Sequence, residues 1–185
     1  MHNLDAQSII EYNLIMDLYE AIKKRYSCRN YEQKPIEQEK LDRIIEAARL
    51  APSAKNLQDW RFVIVTDEKI RREVAMAANE QMFIASAPAI IVGCSNSDYA
   101  MRCGLRISSI DVAIAMEHIA LSAVAEGLAT CWIGSFHPEK LKTILEIPER
   151  VEIIEVMPIG YPADKETHRP REKAEKIVCY NKWQL

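Results

Sequence analysis

The stretch from Ile107 to Leu128, ISSIDVAIAMEHIALSAVAEGL, decides how the rest of the chain is interpreted. It is the most apolar part of the sequence and is about as long as a membrane span of roughly 20 residues. An acid near the centre of a bilayer costs about 2.5–3.5 kcal/mol, and the stretch contains Asp111, Glu117 and Glu126. We therefore predict a helix buried between protein surfaces, with Gly127 as a left-handed C-cap. Its apolar surface exceeds what a soluble monomer covers, which predicts a symmetric partner subunit.

Helical and strand patterns surround this stretch. Apolar residues recur every fourth position after Ser8, and β-branched runs alternate with turn residues. The predicted helices cover residues 8–24, Pro35 to Ala51, Glu68–Ala78 and His137 to just before Pro148. The predicted strands are Arg61–Thr66, Pro88–Gly93, Leu128–Gly134, Glu152–Tyr161 and a last short strand at Ile177–Tyr180. This imperfect alternation indicates an α+β class with a mixed β-sheet, and 185 residues fit a single domain.

Composition argues against several classes of function. The 24 basic and 27 acidic residues are evenly mixed, so the chain has no basic field for nucleic acid. The N-terminus, Met1 to Asp5, shows no basic patch followed by an apolar run, which predicts a cytoplasmic protein without a membrane partner. Five scattered cysteines form no C-x-x-C pair and no zinc-finger spacing with a histidine. We therefore expect no metal site.

General catalytic motifs are absent from the sequence: it has no G-x-G-x-x-G after a strand, no P-loop, no G-x-S-x-G and no H-E-x-x-H. A basic string, RYSCRNY at Arg25–Tyr31, follows the first helix. A guanidinium can make two charge-assisted bonds to one phosphate, and a serine hydroxyl can add a third. Two arginines four residues apart are more often solvated charges, so the string needs support from the rest of the chain.

Three further strings supply that support. They are APSAKNLQDW at Ala51–Trp60, TCWIGSF at Thr130–Phe136, and MPIGYP at Met157–Pro162, the last followed by HRPR at residues 168–171. In this order the four strings resemble those of the nitroreductase family. The resemblance extends from about Met16 to Val178 and leaves residues 1–15 as an N-terminal extension.

The resemblance implies a fold and an activity. The fold is a nitroreductase-like mixed β-sheet flanked by helices, in an intertwined homodimer whose single FMN-binding domain spans residues 1–185. The implied activity is hydride transfer from NADH or NADPH, through FMN, to a small electron-poor acceptor of nitroaromatic or quinone type. The mechanism is ping-pong and needs no catalytic side chain, because the flavin carries the chemistry.

The resemblance also implies which residues bind the flavin. Arg25 and Ser27 hold its phosphate, Arg29 reaches the ribityl chain and pyrimidine edge, and the Gly134 backbone N–H points at flavin N5. The other implied contacts are Ile133, Ser135, Arg169, Arg171, Gln81 (with Asn79 as a competitor) and, from the other subunit, Pro52, Ser53, Ala54 and Asn56. Between Arg169 and Arg171 the phosphate ligand is undecided. Asp59 replaces the usual proline before Trp60, which predicts a less rigid loop and an altered acceptor pocket.

Two alternatives stay open. One is a flavin enzyme of the same fold but different chemistry, such as reductive dehalogenation or flavin cleavage. The connection from the strand ending at Gly93 to the helix after Arg106 is short, and this favours a small open pocket and a generic reductase. The other alternative is a protein that stores or senses FMN without turnover.

Overall fold

The computed structural model describes residues 16–165 and 167–184. Its helices are α1 (Leu18–Lys24), α2 (Gln38–Arg49), α3 (Glu68–Ala77), α4 (Phe83–Ser86), α5 (Ile107–Ala125) and α6 (Pro138–Leu145). Its strands are β1 (Trp60–Val65), β2 (Ala89–Ser95), β3 (Ala129–Thr130) and β4 (Glu152–Gly160), and 3₁₀ turns cover Ala54–Asn56 and Ala174–Lys176. The predicted α+β class is confirmed.

The four strands form one sheet in the order β1-β2-β4-β3, and all three neighbouring pairs are antiparallel. The predicted mixed character is limited to one parallel bridge, between Ser27 and Thr130. Whether neighbouring strands run parallel or antiparallel depends on where the connecting helices return the chain. The hydrophobic pattern of a single strand does not indicate this.

Helix α5 is the centre of the core, as predicted. A Cβ atom at Gly93 of β2 would lie only 2.9 Å from Val112 of α5, so the glycine permits close contact between helix and sheet. Among the described helices, only α5 is long and apolar enough to cross a membrane, but 56% of the tested window is buried inside the molecule. It is therefore a core helix. Gly127, with φ 76°, provides the predicted left-handed residue after the helix.

The two ends of the sheet position the functional segments. At one end, which we call the Ser95 end, Trp60 of β1 and Glu152 of β4 both pair with Ser95 of β2. At the other end, the Thr130 end, Thr130 of β3 pairs with Ile159 of β4. The distance between these ends along β4 is about 23 Å at 3.3 Å per residue.

Two predicted strands differ from the structure. The strand predicted over Leu128–Gly134 is reduced to Ala129–Thr130, because the next residue faces Pro158, which has no N–H to donate to the ladder. Regular pairing does not resume, and only an isolated bridge joins Ile133 to Val156. The strand predicted over Ile177–Tyr180 is wrong. That segment follows a 3₁₀ turn and is mostly exposed, and none of the described strands pairs with it to complete a ladder.

Both N-terminal helices begin later than predicted. Helix α1 begins after Asp17, whose carboxylate accepts the Tyr19 N–H, so Asp17 and not Ser8 caps the described helix. The part of the predicted helix that precedes residue 16 lies outside the described residues. Helix α2 begins at Gln38 because Glu37, in an extended conformation, serves as its N-cap.

Candidate functional site

An antiparallel pairing between two distant segments builds the site. Tyr31 forms a bridge with Pro162, the Glu32 N–H donates to the Tyr161 carbonyl at 2.9 Å, and the Ala163 N–H donates to the Asn30 carbonyl at 2.9 Å. Because the segments run in opposite directions, the residues before Asn30 are carried alongside the residues after Ala163. The two predicted basic strings therefore meet.

A cavity of about 270 Å³ lies where they meet. Its lining consists of Arg25, Tyr26, Ser27, Arg29, Thr167, His168, Arg169 and Arg171. All five residues predicted to surround the phosphate and ribityl chain are present in this set. Arg169 and Arg171 both line the cavity, so the geometry leaves the choice between them undecided. Tyr26, Thr167 and His168 were missed from the sequence, because their role depends on the pairing of two segments more than 130 residues apart.

The charge of this cavity suits a phosphate. Four guanidinium groups and a serine hydroxyl surround it, and each guanidinium can bind an anionic oxygen pair. An adjoining cavity of about 520 Å³ shares Arg25, Arg169 and Arg171 and adds the half-buried Glu117. Burial raises the pKa of the Glu117 carboxyl, and the positive charge of Arg25 partly offsets that effect. The set of donors in the first cavity fits the terminal phosphate of FMN.

A second group of predicted flavin contacts is linked to the basic cavity through Arg29. The Arg29 guanidinium lies 5.9 Å from the centre of the Phe83 ring. Close to Phe83 in the chain, Gln81 donates through Nε2 to the Ser135 carbonyl at 3.2 Å, and Asn79 donates through Nδ2 to Ser135 Oγ at 2.8 Å. Gln81 and Asn79 thus both bind Ser135, and the geometry does not decide which of them is the flavin contact.

The strand end at Ile133–Ser135 is open on one side. Gly134 and Ser135 are exposed, and a Cβ atom at Gly134 would have no neighbour within 4 Å. A planar ligand could therefore approach the Gly134 backbone closely. The Cys131 side chain is buried in the core, and so is the side chain of Ile133, which the resemblance implies as a flavin contact, so only the backbone of Ile133 is available for such a contact.

Glu155 supports this strand end from within the protein. Its side chain is buried, at 6% relative exposure, and its Oε1 accepts the Ile133 N–H at 2.9 Å. Burial raises the pKa of the Glu155 carboxyl to about 7, although the hydrogen bond from Ile133 acts in the opposite direction. The sequence contained a signal for this residue, since an acid interrupts the otherwise apolar run from Ile153 to Ile159.

The Pro52–Asn56 loop is held by other parts of the chain. The Ala54 N–H donates to Asp111 of α5 at 3.1 Å, and the Gln58 N–H donates to Ser53 Oγ at 3.0 Å. Asn56 has a left-handed backbone, with φ 56°, which exposes the turn. The loop is thus ordered by specific hydrogen bonds at its centre.

Asp59 adds a restraint that the sequence did not reveal. Its Oδ2 accepts a hydrogen bond of 2.5 Å from Ser95 Oγ, and Ser95 Oγ in turn accepts the Ser97 N–H at 3.1 Å. The loss of proline was expected to make the loop less rigid. In the structure, a side-chain bond to β2 replaces the restraint that the proline ring would impose.

One chain does not bring all the predicted residues together. The Asp59–Ser95 bond places the end of the Pro52–Asn56 loop at the Ser95 end of the sheet. The bridge from Ser27 to Thr130 places the basic cavity at the Thr130 end. The two predicted halves of the flavin site are therefore separated by most of the length of β4.

Comparison with known proteins adds an independent line of evidence. The sequence profile of the nitroreductase family matches residues 22–98 and 78–161 of this chain. That match includes Arg25–Arg29, the Pro52–Asn56 loop and Gly134, whereas Arg169 and Arg171 lie beyond it. FMN reductase (NAD(P)H) of Bacillus subtilis is 31% identical over 169 residues, covering 82% of this chain and 68% of that protein.

Two solved structures share the fold. A nitroreductase family protein from Clostridium novyi NT is 38% identical, with a TM-score of 0.77 and coverage of 80% of this chain and 87% of that one. The NADPH:FMN oxidoreductase from Vibrio harveyi, solved as a complex with NAD+, is 27% identical, with a TM-score of 0.84 and coverage of 91% and 78%.

Proposed function

Because this chain belongs to the nitroreductase family, we propose that it passes hydride from NADH or NADPH, through FMN, to a small electron-poor acceptor of nitroaromatic or quinone type. The general activity follows from its relatives: the protein is an NAD(P)H-dependent flavin oxidoreductase that uses FMN. When bound, FMN would supply the hydride-transfer chemistry of the proposed ping-pong cycle. The observation that carries the proposal is the basic cavity formed by two segments distant in sequence.

The basic cavity has the role of a phosphate site. Arg25 and Ser27, with Arg169 or Arg171, hold the terminal phosphate of FMN, and Arg29 lies toward the ribityl chain and the pyrimidine edge. Charge-assisted bonds of this kind are shorter and about twice as strong as neutral ones, so we expect them to hold the cofactor tightly. A dinucleotide has no terminal monophosphate to place there, which favours FMN over FAD.

We assign the strand end at Ile133–Ser135 as the surface against which the flavin ring lies. The Gly134 N–H is the donor proposed for flavin N5, and Gln81, anchored on Ser135, is proposed for the pyrimidine edge. A fixed backbone donor stabilises developing charge without titrating. The open space beside Gly134 allows the flavin ring to lie close to this backbone.

We place the Pro52–Asn56 loop in the partner's site, so that each flavin contacts Pro52, Ser53, Ala54 and Asn56 of the other subunit. The separation of this loop from the basic cavity within one chain supports such a composite site. Exposed apolar residues support a dimer as well: Ile110 of α5, Leu18 and Ile22 of α1, and Ile177, Val178 and Trp183 near the C-terminus. In this proposal residues 1–185 form one domain of a cytoplasmic homodimer, with residues 1–15 as an extension.

The test begins with the purified protein. Flavin released by heat and separated by HPLC should be FMN, and predominant FAD would contradict the assignment of the arginines. Anaerobic addition of NADH or NADPH should bleach the flavin absorbance, and a quinone or nitroaromatic added afterwards should restore it. Unchanged absorbance with both nucleotides would instead indicate a protein that only binds flavin.

A further inference from the structure

Asp164 binds three groups of the segment that carries the first two arginines. Its Oδ1 accepts the Tyr26 hydroxyl at 2.7 Å and the Cys28 thiol at 3.2 Å, and its Oδ2 accepts the Arg29 backbone N–H at 3.3 Å. These donors hold the pKa of the Asp164 carboxyl below its usual range, even though burial acts against them. One carboxylate thus binds several groups of the extended segment that carries Arg25, Ser27 and Arg29.

The position of Asp164 in the chain makes these bonds consequential. It is the residue where the antiparallel pairing of Tyr31 with Pro162 ends, and the segment carrying Thr167–Arg171 begins shortly after it. Beyond Ala163 the two segments separate to form the cavity, and the Asp164 side chain takes over from the backbone ladder in joining them. Asp164 itself is absent from the residues that line the cavity.

The charge of Asp164 is of the wrong sign for the site it adjoins. A carboxylate a few ångströms from a phosphate site repels the phosphate, so by Coulomb's law alone its removal would strengthen phosphate binding. Its hydrogen bonds act in the opposite direction, because without Asp164 the Tyr26 hydroxyl and the Arg29 backbone N–H lose an acceptor. The Cys28 thiol is affected less, since it also lies 3.1 Å from the Asn30 carbonyl oxygen. The two effects therefore differ in sign and can be separated by experiment.

We propose that Asp164 is a positioning residue that holds the extended Arg25–Arg29 segment against the Thr167–Arg171 segment and thereby gives the site its preference for FMN over riboflavin. This inference rests on the proposed function of the basic cavity. Its particular claim is that the phosphate contribution to flavin binding depends on a residue that does not touch the phosphate.

The experiment measures binding of FMN and of riboflavin to flavin-free protein by fluorescence quenching, so it does not depend on turnover. Asp164→Ala should weaken FMN binding by about tenfold to a hundredfold, because charge-assisted contacts are lost together. Riboflavin affinity should fall by a much smaller factor, about threefold, since riboflavin lacks the phosphate held by Arg25 and Ser27 and keeps only the Arg29 contacts to its ribityl chain and pyrimidine edge. Asp164→Asn keeps one acceptor oxygen and should show a smaller loss of FMN affinity.

Glu172→Ala is the matched control. Glu172 lies next to Arg171 and pairs with the exposed Lys176 at 2.9 Å, so its removal also deletes a negative charge near the cavity. This variant should bind FMN equally well or slightly better. Circular dichroism of each flavin-free protein establishes that the variants are folded.

Three outcomes would decide against the inference. Tighter FMN binding by Asp164→Ala would mean that its charge alone matters, and an equal loss for FMN and riboflavin would mean a general structural role. If Asp164→Ala does not fold, the ratio of FMN to riboflavin affinity in Asp164→Asn and Tyr26→Phe decides in its place, and an unchanged ratio in both overturns the proposal. Failure of the wild-type protein to prefer FMN would instead overturn the proposed function of the cavity.

Discussion

Replacing Glu155 by glutamine should stabilise the protein at alkaline pH and leave its stability unchanged at acidic pH. Burial raises the pKa of this carboxyl from its ordinary 4.5 to about 7. Glutamine has nearly the same shape and offers an amide oxygen to the Ile133 N–H, so the substitution removes the titration while retaining the hydrogen bond.

The sign follows from the direction of this pKa change. Between about pH 4.5 and pH 7 the unfolded chain has lost the Glu155 proton while the folded protein still holds it, so the free energy of unfolding falls as pH rises. At 1.36 kcal/mol per pKa unit the loss amounts to about 3 kcal/mol, and it is complete once pH exceeds the folded pKa. The glutamine variant has no such loss, because it stays neutral throughout.

Urea denaturation of both proteins at several pH values, with matched flavin content, measures the difference. We expect the variant to exceed the wild type by up to about 3 kcal/mol at pH 8 and to match it near pH 4. Glu32→Gln, at an exposed position, controls for the substitution itself and should show no such pH dependence. A difference between wild type and Glu155→Gln that is the same at pH 4 and pH 8 would refute the reasoning.

Three further predictions concern the flavin site. Arg25→Ala should raise the FMN dissociation constant by about one to two powers of ten, since a hydrogen bond to a charged group contributes roughly 1.5–3 kcal/mol, and an unaltered titration would make Arg25 a mere helix-end cation. Arg25→Glu and Asn56→Trp, each inactive alone, should recover about a quarter of wild-type activity after co-refolding, because half of the dimers carry one intact composite site. No recovery, with heterodimers confirmed by native mass spectrometry, would place both motifs on one subunit. Cys131→Ser and His118→Ala should keep quinone reduction within about tenfold of wild type, and a folded, FMN-bound but inactive variant would contradict a mechanism without catalytic side chains.

Local patterns in the sequence were sufficient for much of the fold. The apolar run beginning at Ile107 and the glycine at Gly127 defined helix α5 and its end, and β-branched content located β1, β2 and β4 to within a residue or two. These features depend on periodicity and on backbone preferences of single residues, which neighbouring residues suffice to determine. The four motif strings likewise identified the family, since each is a short continuous stretch.

Contacts between distant residues were beyond the reach of those patterns. The strand after Leu128 is cut short by Pro158 on its neighbour, and Ile177–Tyr180 has strand-forming residues but no partner strand. Neither the shortened strand nor the missing one can be predicted from the segment itself, because a strand exists only when another strand completes its hydrogen bonds.

The functional site likewise depends partly on local sequence and partly on contacts between distant residues. The resemblance implied that Arg25 binds phosphate together with Arg169 or Arg171, but only the pairing of Tyr31 with Pro162 brings these residues to one cavity. Asp164 is an ordinary acid in the sequence, and Glu155 stands out there only as an acid that interrupts an apolar run. Their surroundings come from segments up to about 140 residues away, and burial and hydrogen bonding, which set an acid's pKa and its role, are properties of those surroundings. Only the tertiary structure could therefore distinguish Asp164, whose pKa is lowered by the groups it binds, from Glu155, whose pKa is raised by burial.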